Sequence, residues 1–253
     1  MPKRELVFDK QLMNAAGSLG FAPDPRAQPD RPEFGAFVTN PVSMRPRTAA
    51  ESAALIEYPG GFLLHSGLPN PGFRTVLRQH ARAWEQSTLP VIVSLMADRP
   101  DETRDMVRAL EGIDNLLAVE LGFAPLLADD LILLAVDVSQ GELPLIVSLP
   151  GEQLLRLGQP VLERGGSAIS ISAPRGTLTS DDSLITGRLL GPSLYPSSLE
   201  LVRTASKIGL PIIGSCGVFS TRDAQGMLAA GAMAVQLDAQ LWLPGRNKKS
   251  LVV

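Results

Sequence analysis

Short runs of apolar residues, rich in valine, isoleucine and leucine, alternate with longer amphipathic segments along most of the chain. The apolar runs are nearly continuous instead of alternating with polar residues, which is typical of parallel strands covered on both faces. Eight runs are predicted to be strands. They lie at residues 35–39, 61–65, 90–95, 116–120, 144–148, 168–172, 211–214 and 234–237.

The segments between these runs have apolar residues at the three- to four-residue spacing of helices that cover a sheet. Clear examples lie at 71–86, 101–112, 152–164 and 195–208. Strands that alternate with helices, without a break in composition, predict a single α/β domain over residues 1–253. Since right-handed crossovers would close eight parallel strands on themselves, we predict a (β/α)8 TIM barrel. A doubly wound open sheet is the alternative.

Two segments fall outside a minimal barrel. Residues 1–34 precede the first predicted strand as an N-terminal extension and include a proline-rich stretch at 21–32. Residues 173–193 are predicted to form a long loop after the sixth strand, on the side of the barrel where active sites lie. Because long loops at this end often cover an active site, we expect this one to do so. An insertion without function is the alternative.

Composition restricts the classes of partner. The chain has 23 basic and 26 acidic residues and a net charge of −3, so it offers no electrostatic surface for nucleic acid. Charged residues make up only 19% and hydrophobic residues 45%, from which we predict a homo- or hetero-oligomer. The single cysteine, Cys216, is typical of a reducing compartment. With no secretory signal and no apolar run long enough for a transmembrane segment, we predict a cytoplasmic protein.

The carboxyl-terminal pattern is the most specific one. The run at 211–214 ends in a turn, Ser215-Cys216-Gly217, and the run at 234–237 ends at Asp238. In many (β/α)8 barrels the loops after the last two strands hold a phosphate on backbone N–H groups. A carboxylate in the second loop opposes that use, because it repels a phosphate by about 1 to 4 kcal/mol per charge pair. The alternative is that Asp238 points away as a helix N-cap.

Five segments in the same order resemble the dihydroorotate dehydrogenase family. They are Asn14-Ala-Ala-Gly17-Ser18, Gly35–Arg47, His65-Ser-Gly-Leu-Pro-Asn70-Pro-Gly72, Gly187-Arg-Leu-Leu-Gly191-Pro192 and Leu210–Leu241. In that family, which uses FMN in pyrimidine synthesis, similar segments are Asn-Ala-Ala-Gly-Thr, Met-Gly-Leu-Pro-Asn-Pro-Gly and Gly-Gly-Leu-Ser-Gly-Pro. The resemblance extends over almost the whole chain and implies a TIM barrel.

The resemblance also implies where a cofactor and a substrate would bind. In the family the first segment runs beside the flavin, the loop that contains Asn70 meets the substrate, and the carboxyl-terminal segment binds the phosphate. The residues at implied FMN-binding positions are Ala16, Gly17, Ser18, Asn40, Ser148, Gly191, Gly214 and Gly217.

Several positions depart from the family pattern. Asn40 stands where the family has a lysine against the flavin, and Ser148 where a second lysine stabilises the reduced flavin. The stretch Glu120–Pro125 aligns with the family's Asn-x-Ser-Cys-Pro-Asn, so the catalytic base and two substrate-binding asparagines are absent. Asp238-Ala239 replaces a Gly-Thr or Gly-Ser pair. Loss of a general base costs roughly 10² to 10⁴ in rate.

Glu120 and His65 are the candidate catalytic residues. Both end predicted strands, where barrel active sites are built, and His65 is expected to face the mouth. Glu120 would act as a base, or would instead pair with Arg175 or Arg188. Cys216 is a candidate nucleophile, with a small buried filler as the alternative, because no histidine is recognisably paired with it.

The acidic residues do not indicate a metal ion. Glu120, Asp181, Asp182 and Asp238 follow no metal-binding spacing, so we predict no metal site.

The departures leave three hypotheses. In the first, the barrel has lost flavin-dependent catalysis, binds no cofactor and acts as a structural, accessory or regulatory subunit. In the second, it is an FMN-dependent oxidoreductase with an altered substrate, in which Glu120 or His65 moves the proton. In the third, a non-flavin enzyme uses the same mouth.

Overall fold

The computed structural model describes residues 3–24, 33–180 and 183–238. Within these residues, the strands are β1 Leu12–Asn14, β2 Phe37–Val38, β3 Ala54–Tyr58, β4 Gly61–His65, β5 Val91–Met96, β6 Leu116–Gly122, β7 Leu145–Leu149, β8 Ala168–Ile171, β9 Arg175–Ser180, β10 Ser183–Leu190, β11 Ile212–Gly214 and β12 Ala234–Leu237. The helices are α1 Phe73–Glu85, α2 Pro100–Leu110, α3 Asp129–Val138, α4 Gly151–Glu163, α5 Tyr195–Lys207 and α6 Thr221–Ala229.

Eight strands form one parallel sheet in the order β1-β12-β11-β8-β7-β6-β5-β2. A parallel bridge between Met13 and Ala36 brings β1 beside the start of β2, so the two ends of the sheet meet. The predicted α/β fold, a TIM barrel, is confirmed, and the open doubly wound sheet is wrong.

The four helices predicted by amphipathic spacing are confirmed to within two residues as α1, α2, α4 and α5. Local chemistry fixes several of their ends. Pro100 begins α2 and is followed by two acidic residues, which stabilise a helix amino terminus. Ser220 caps α6, where its hydroxyl oxygen accepts a hydrogen bond from the backbone N–H of Asp223 at 3.1 Å.

The amino-terminal side of the barrel differs from the prediction. The first barrel strand is β1, so residues 1–34 are not simply an extension before the barrel. The run predicted at 35–39 supplies the second barrel strand, and the run at 61–65 supplies none. That run forms β4, which follows β3 after a two-residue turn and must therefore be antiparallel to it, since a parallel pair needs a long crossover. Three residues are too few to show a period, which hides β1 in the sequence.

The segment predicted as a long loop at 173–193 contains a β-hairpin instead. Strands β9 and β10 pair antiparallel, and β10 also pairs with β4, which gives a second sheet in the order β3-β4-β10-β9. We call it the mouth sheet. Its Phe62 and Leu190 pack against Ala173 and Phe219, which follow barrel strands, so it covers part of the barrel mouth.

The core has two layers. Inside the barrel one cluster of apolar side chains fills the part toward the amino ends of the strands, and outside it a larger cluster fills the space between the sheet and the helices. Trp84 of α1 is fully buried in this outer layer, and its indole N–H donates to the carbonyl oxygen of Phe21 at 2.7 Å. Among the described residues, no helix is both long enough and apolar enough to cross a membrane.

Asn14 holds the closing strands together. It is fully buried, its Nδ2 donates to the Val38 carbonyl oxygen at 2.6 Å, and its Oδ1 accepts from the Val38 N–H at 2.9 Å. The amide therefore gives β2 the two hydrogen bonds that a neighbouring strand would normally supply. This matters because β1 and β2 are only three and two residues long.

We expect Asn14→Ala to lower the free energy of unfolding by about 3 kcal/mol, since it leaves two buried backbone groups of Val38 without partners. Denaturant unfolding followed by circular dichroism measures the loss. Gln11→Ala is the control, because Gln11 is an exposed amide on the same segment, with one 3.3 Å bond to the Met233 carbonyl oxygen. Equal losses in the two variants would contradict the proposed role of Asn14.

Candidate active site

The interior of the barrel changes from apolar to polar toward the carboxyl ends of the strands. Because side chains alternate along a strand, the residue two positions after an interior apolar residue also points inward. Within the barrel strands, four buried polar residues follow apolar interior residues in this way and form one layer. They are Ser94, Glu120, Ser170 and Gln236.

Glu120 is at the centre of this layer. Its Oε1 accepts hydrogen bonds from Ser170 Oγ and from Gln236 Nε2, each at 2.9 Å, and Ser94 also forms a hydrogen bond with the carboxylate. Only 3% of Glu120 is exposed. Burial raises the pKa of Glu120, and the three hydrogen bonds oppose this shift only in part.

This environment bears on the predicted role of Glu120. A raised pKa increases the protonated fraction at neutral pH, so the group is suited to hold or move a proton. The partners found for it are neutral side chains of the barrel interior, whereas Arg175 and Arg188 lie on the mouth sheet. The expectation that Glu120 pairs with one of these arginines is therefore not met, and its role as a base stays a prediction.

His65 does not end a barrel strand. It is the last residue of β4, opposite Ala54 in the mouth sheet, and is partly exposed. The expected placement at the end of the second barrel strand is wrong, because β4 belongs to an antiparallel sheet.

The segment after β1 turns at Gly17, whose φ of +91° favours glycine. Ser18 Oγ donates to the Ala15 carbonyl oxygen at 2.6 Å, which stabilises the turn, and Ala16 packs against the apolar interior cluster. A Cβ atom at residue 17 would lie 3.6 Å from one terminal nitrogen of Arg188 and 3.7 Å from the other. The guanidinium of Arg188 therefore covers this turn.

Sequence reasoning named Arg188 only as a possible partner of Glu120 and did not place it at the turn after β1. It lies on β10 of the mouth sheet. The similar Gly-Gly-Leu-Ser-Gly-Pro turn of the family has its second glycine at this position, and this difference was the signal for Arg188 in the sequence. Burial lowers the pKa of Arg188, while the negative charge of Asp238 opposes that shift. Asp238 is only 8% exposed, and its charge acts on Arg188 and on Cys216. Ala239 lies outside the described residues.

Cys216 has the properties of a buried filler. It is 2% exposed, and burial, followed by the charge of Asp238, raises the pKa of its thiol to about 12. The thiolate needed by a nucleophile is therefore scarce at neutral pH. Its φ of +67° is a strained conformation for a residue with a side chain, in the turn Ser215-Cys216-Gly217 after β11.

Three glycines at implied cofactor positions lie against protein atoms. A Cβ at Gly191 would overlap the backbone of Gly60 and Gly61, and one at Gly217 would overlap the backbone of Tyr195. A Cβ at Gly214 would lie 3.2 Å from the Met227 side chain of α6. Close packing accounts for glycine at the first two positions, and a cofactor role for the three stays a prediction.

The two implied asparagines are held in hydrogen bonds to the protein. Asn40 Oδ1 accepts from the Gly20 N–H at 3.1 Å. Asn70 is 5% exposed, and its Oδ1 accepts from the N–H groups of Gly72 at 3.0 Å and Ser43 at 3.3 Å. Ser148 is partly exposed at the carboxyl end of β7, beside Ser170 in the sheet register.

No group of three or more His, Cys, Asp or Glu side chains suited to a metal ion occurs among the described residues. Asp181 and Asp182, two of the four acidic residues considered above, lie outside those residues.

Comparison with known proteins decides the family. A model of the family described as dihydroorotate dehydrogenase matches residues 4–123 and 167–248, which is more than half of the chain. The chain belongs to the dihydroorotate dehydrogenase family.

Relatives in this family are similar over most of the chain. The dihydroorotate dehydrogenase B (NAD(+)) catalytic subunit of Trichlorobacter lovleyi is 26% identical over 254 residues, covering 92% of this chain and 84% of the relative. The subunit of the same name from Pyrococcus horikoshii is 28% identical over 265 residues, covering 94% and 84%. That of Pyrococcus furiosus is 27% identical over 266 residues, covering 95% and 86%.

Residues 124–166 separate the two ranges that the family model matches. They contain α3, β7 and α4, and therefore Ser148. The matched ranges contain β1, β6, the mouth sheet and the last two barrel strands, so the family match includes both Glu120 and Arg188.

Glu120 is expected to make stability fall as pH rises. Since burial raises its pKa above the ordinary 4.5, the unfolded chain loses this proton at lower pH than the folded chain. The stability due to neutral Glu120 is complete below about pH 4.5 and is lost as the pH rises through the folded pKa. Glu120→Gln cannot ionise. As the pH rises from about 4.5 through the folded pKa of Glu120, the free energy of unfolding of this variant should therefore increase relative to that of the wild type.

Denaturant unfolding of both proteins at a series of pH values measures this difference. Glu85→Gln makes the same change at the exposed end of α1 and controls for net charge. A difference between Glu120→Gln and wild type that stays constant with pH would show that ionisation of Glu120 does not affect folding.

Proposed function

We propose that this chain is a divergent dihydroorotate dehydrogenase-like barrel that does not bind FMN in the manner of its family and acts as a structural, accessory or regulatory subunit. The observation that carries the proposal is the guanidinium of Arg188 against the turn at Gly17. In the family this turn runs beside the flavin.

Steric occupation is the first support. The terminal nitrogens of Arg188 are within 3.6 to 3.7 Å of the position that a Cβ of Gly17 would occupy. A planar ring that lay on the turn would compete with this side chain for the same space, so we expect binding to require the mouth sheet or the side chain to move.

Electrostatics is the second support. The charge of Asp238 opposes the lowering of the pKa of Arg188, so the two groups act on each other as a pair. A phosphate that approached this end of the barrel would meet a buried carboxylate, whose repulsion costs about 1 to 4 kcal/mol per charge pair. Separating Arg188 from Asp238 would add the cost of leaving a buried charge unpaired.

The third support is the set of functional side chains at the barrel mouth. Asn40 and Ser148 provide no positive charge where the family has lysines, so a reduced flavin would lack its stabilising cation. Glu120 has a raised pKa, but it is 3% exposed and bonded to three neutral groups inside the barrel. It is therefore poorly placed to take a proton from a substrate at the mouth.

A subunit role is supported by apolar side chains on the outer surface. Leu131 and Leu134 of α3 are 37% and 45% exposed, and Leu155 of α4 is 42% exposed. These helices lie in the part of the chain that the family model does not match. Several relatives are named as catalytic subunits. We therefore propose a homo- or hetero-oligomer, in the cytoplasm.

One observation favours a second function, an FMN-dependent oxidoreductase with an altered substrate. Gly17 keeps the positive φ of its turn, and the segment that contains it is within the family match. In that case Arg188 would have to swing away from the turn when FMN binds.

The first test is the colour and FMN affinity of the purified protein. We expect no visible flavin band, and we expect Arg188→Gly to bind added FMN at least about tenfold more tightly than wild type, since it removes the occupying group. Quenching of flavin fluorescence measures the affinity. The matched control is Arg175→Gly, which removes the same charge at the cross-strand neighbour of Arg188.

Two results would overturn the proposal. A stoichiometric flavin band in the wild-type protein would favour the oxidoreductase. An FMN affinity that rises equally in Arg175→Gly and Arg188→Gly would mean that net charge, and not occupation of the turn, limits binding.

Native mass spectrometry of the protein isolated from its source tests the proposed assembly. We expect a mass above that of one 26.9 kDa chain, either a multiple of it or a complex with a second polypeptide. A monodisperse monomer would contradict the subunit role.

A further inference from the structure

A separate cleft lies at the carboxyl end of β5, between the loop that follows β2 and the first turn of α2. It has a volume of about 200 Å³, and its lining includes three arginines, Arg45, Arg47 and Arg99, and the acidic Asp98 and Glu102. It shares no residue with the polar layer around Glu120 or with the Arg188 group.

The three arginines are only partly neutralised. Nε of Arg45 is 3.9 Å and a terminal nitrogen of Arg99 is 3.6 Å from the same oxygen of Glu102. Both distances exceed that of a hydrogen bond, so each guanidinium keeps donors for another acceptor. With three positive and two negative side chains, the lining has an excess of one positive charge.

Asp98 is already engaged. Its Oδ1 accepts a hydrogen bond from the backbone N–H of Ala124, which ties it to the loop after β6. Among the described residues, the side chain of Arg47 makes one hydrogen bond, from Nε to the Gly67 carbonyl oxygen at 3.2 Å. The other side of its guanidinium is free to donate a pair of parallel N–H bonds, which is the arrangement that suits a carboxylate or a phosphate.

The loop that carries Arg45 and Arg47 is held in place by Asn70. The backbone N–H of Arg47 donates to the Asn70 carbonyl oxygen at 2.9 Å, and the N–H of Asn70 donates back at 3.1 Å. The Asn70 side chain also bonds Ser43 at the start of the same loop. A fixed loop lowers the entropy that a ligand must overcome when it orders the arginines.

From these features we infer that the cleft binds a small oxyanion with two negative charges, such as phosphate or a short dicarboxylate, between Arg45, Arg47 and Arg99. The volume is below that of clefts that take nucleotides or other drug-sized ligands. Glu102, which Arg45 and Arg99 share at 3.9 and 3.6 Å, neutralises these two guanidinium groups only weakly, so a bound oxyanion adds acceptors for their remaining donors. This inference does not depend on whether FMN binds at the mouth.

Isothermal titration calorimetry of the purified protein with inorganic phosphate, and separately with malonate, tests the inference. We expect saturable one-to-one binding of at least one of the two probes, with a Kd at or below about 1 mM in a buffer of constant ionic strength. Phosphate alone would identify a tetrahedral ligand, and malonate alone a dicarboxylate. No saturable binding of either probe would overturn the inference.

Variants separate the cleft from general surface charge. Arg47→Ala and Arg99→Ala are each expected to weaken binding by about tenfold, since each removes charge-assisted hydrogen bonds. Arg104→Ala is the matched control, because Arg104 is on α2 but pairs with Asp101 and Asp105 outside the cleft. An equal loss of affinity in Arg104→Ala would overturn the assignment.

Glu102→Gln is expected to bind the probe more tightly, a result that misfolding of the variant cannot produce. The substitution removes the carboxylate that competes for Arg45 and Arg99, so it should bind the probe several-fold more tightly than wild type. Unchanged or weaker binding in a folded Glu102→Gln protein would mean that the ligand does not use these arginines.

Discussion

The mouth of this barrel depends on the hydrogen bonds that Asn14 makes across the point where the sheet closes. The two closing strands, β1 and β2, meet at a single backbone bridge, and a buried amide supplies both bonds that Val38 needs. A side chain that replaces a strand in this way must be fixed in position. The residues that follow Asn14 then lead directly to the turn at Gly17, so barrel closure and mouth geometry share the same few residues.

Two charge systems lie above one another at the carboxyl end of the barrel, and they differ in how the charge is balanced. Inside, Glu120 is surrounded by neutral donors, so the cost of burial exceeds the gain from its hydrogen bonds and raises its pKa. Above it, burial lowers the pKa of Arg188 on the mouth sheet, and the charge of Asp238, which follows the last barrel strand, opposes that shift. Burial therefore favours the neutral form of both Glu120 and Arg188, and only Arg188 has an opposite charge nearby that opposes this effect.

Several residues that resemble functional positions of the family have structural contacts in this chain. Asn70 ties two loops together, Asn40 holds the turn that ends at Gly20, and Gly191 allows the backbone of the mouth sheet to approach the turn at Gly60. Similarity of a motif thus indicates similar backbone geometry more directly than it indicates a shared ligand. The same rigid loop presents Arg45 and Arg47 to the cleft beside β5.

The sequence alone determined the α/β class, the barrel, the family and the helices whose apolar spacing is regular, because these depend on repeated local patterns. It did not reveal that β1 is a barrel strand or that β4 is not, since strands of two to five residues have no clear period and their pairing is decided by distant chain segments. It also placed Glu120 at a strand end, whereas only the folded barrel surrounds that carboxylate with Ser94, Ser170 and Gln236. The contact between Arg188 and Gly17 joins residues 171 positions apart. Only the tertiary structure decides such a contact, because its energy comes from burial and charge pairing that exist once the mouth sheet has packed on the barrel.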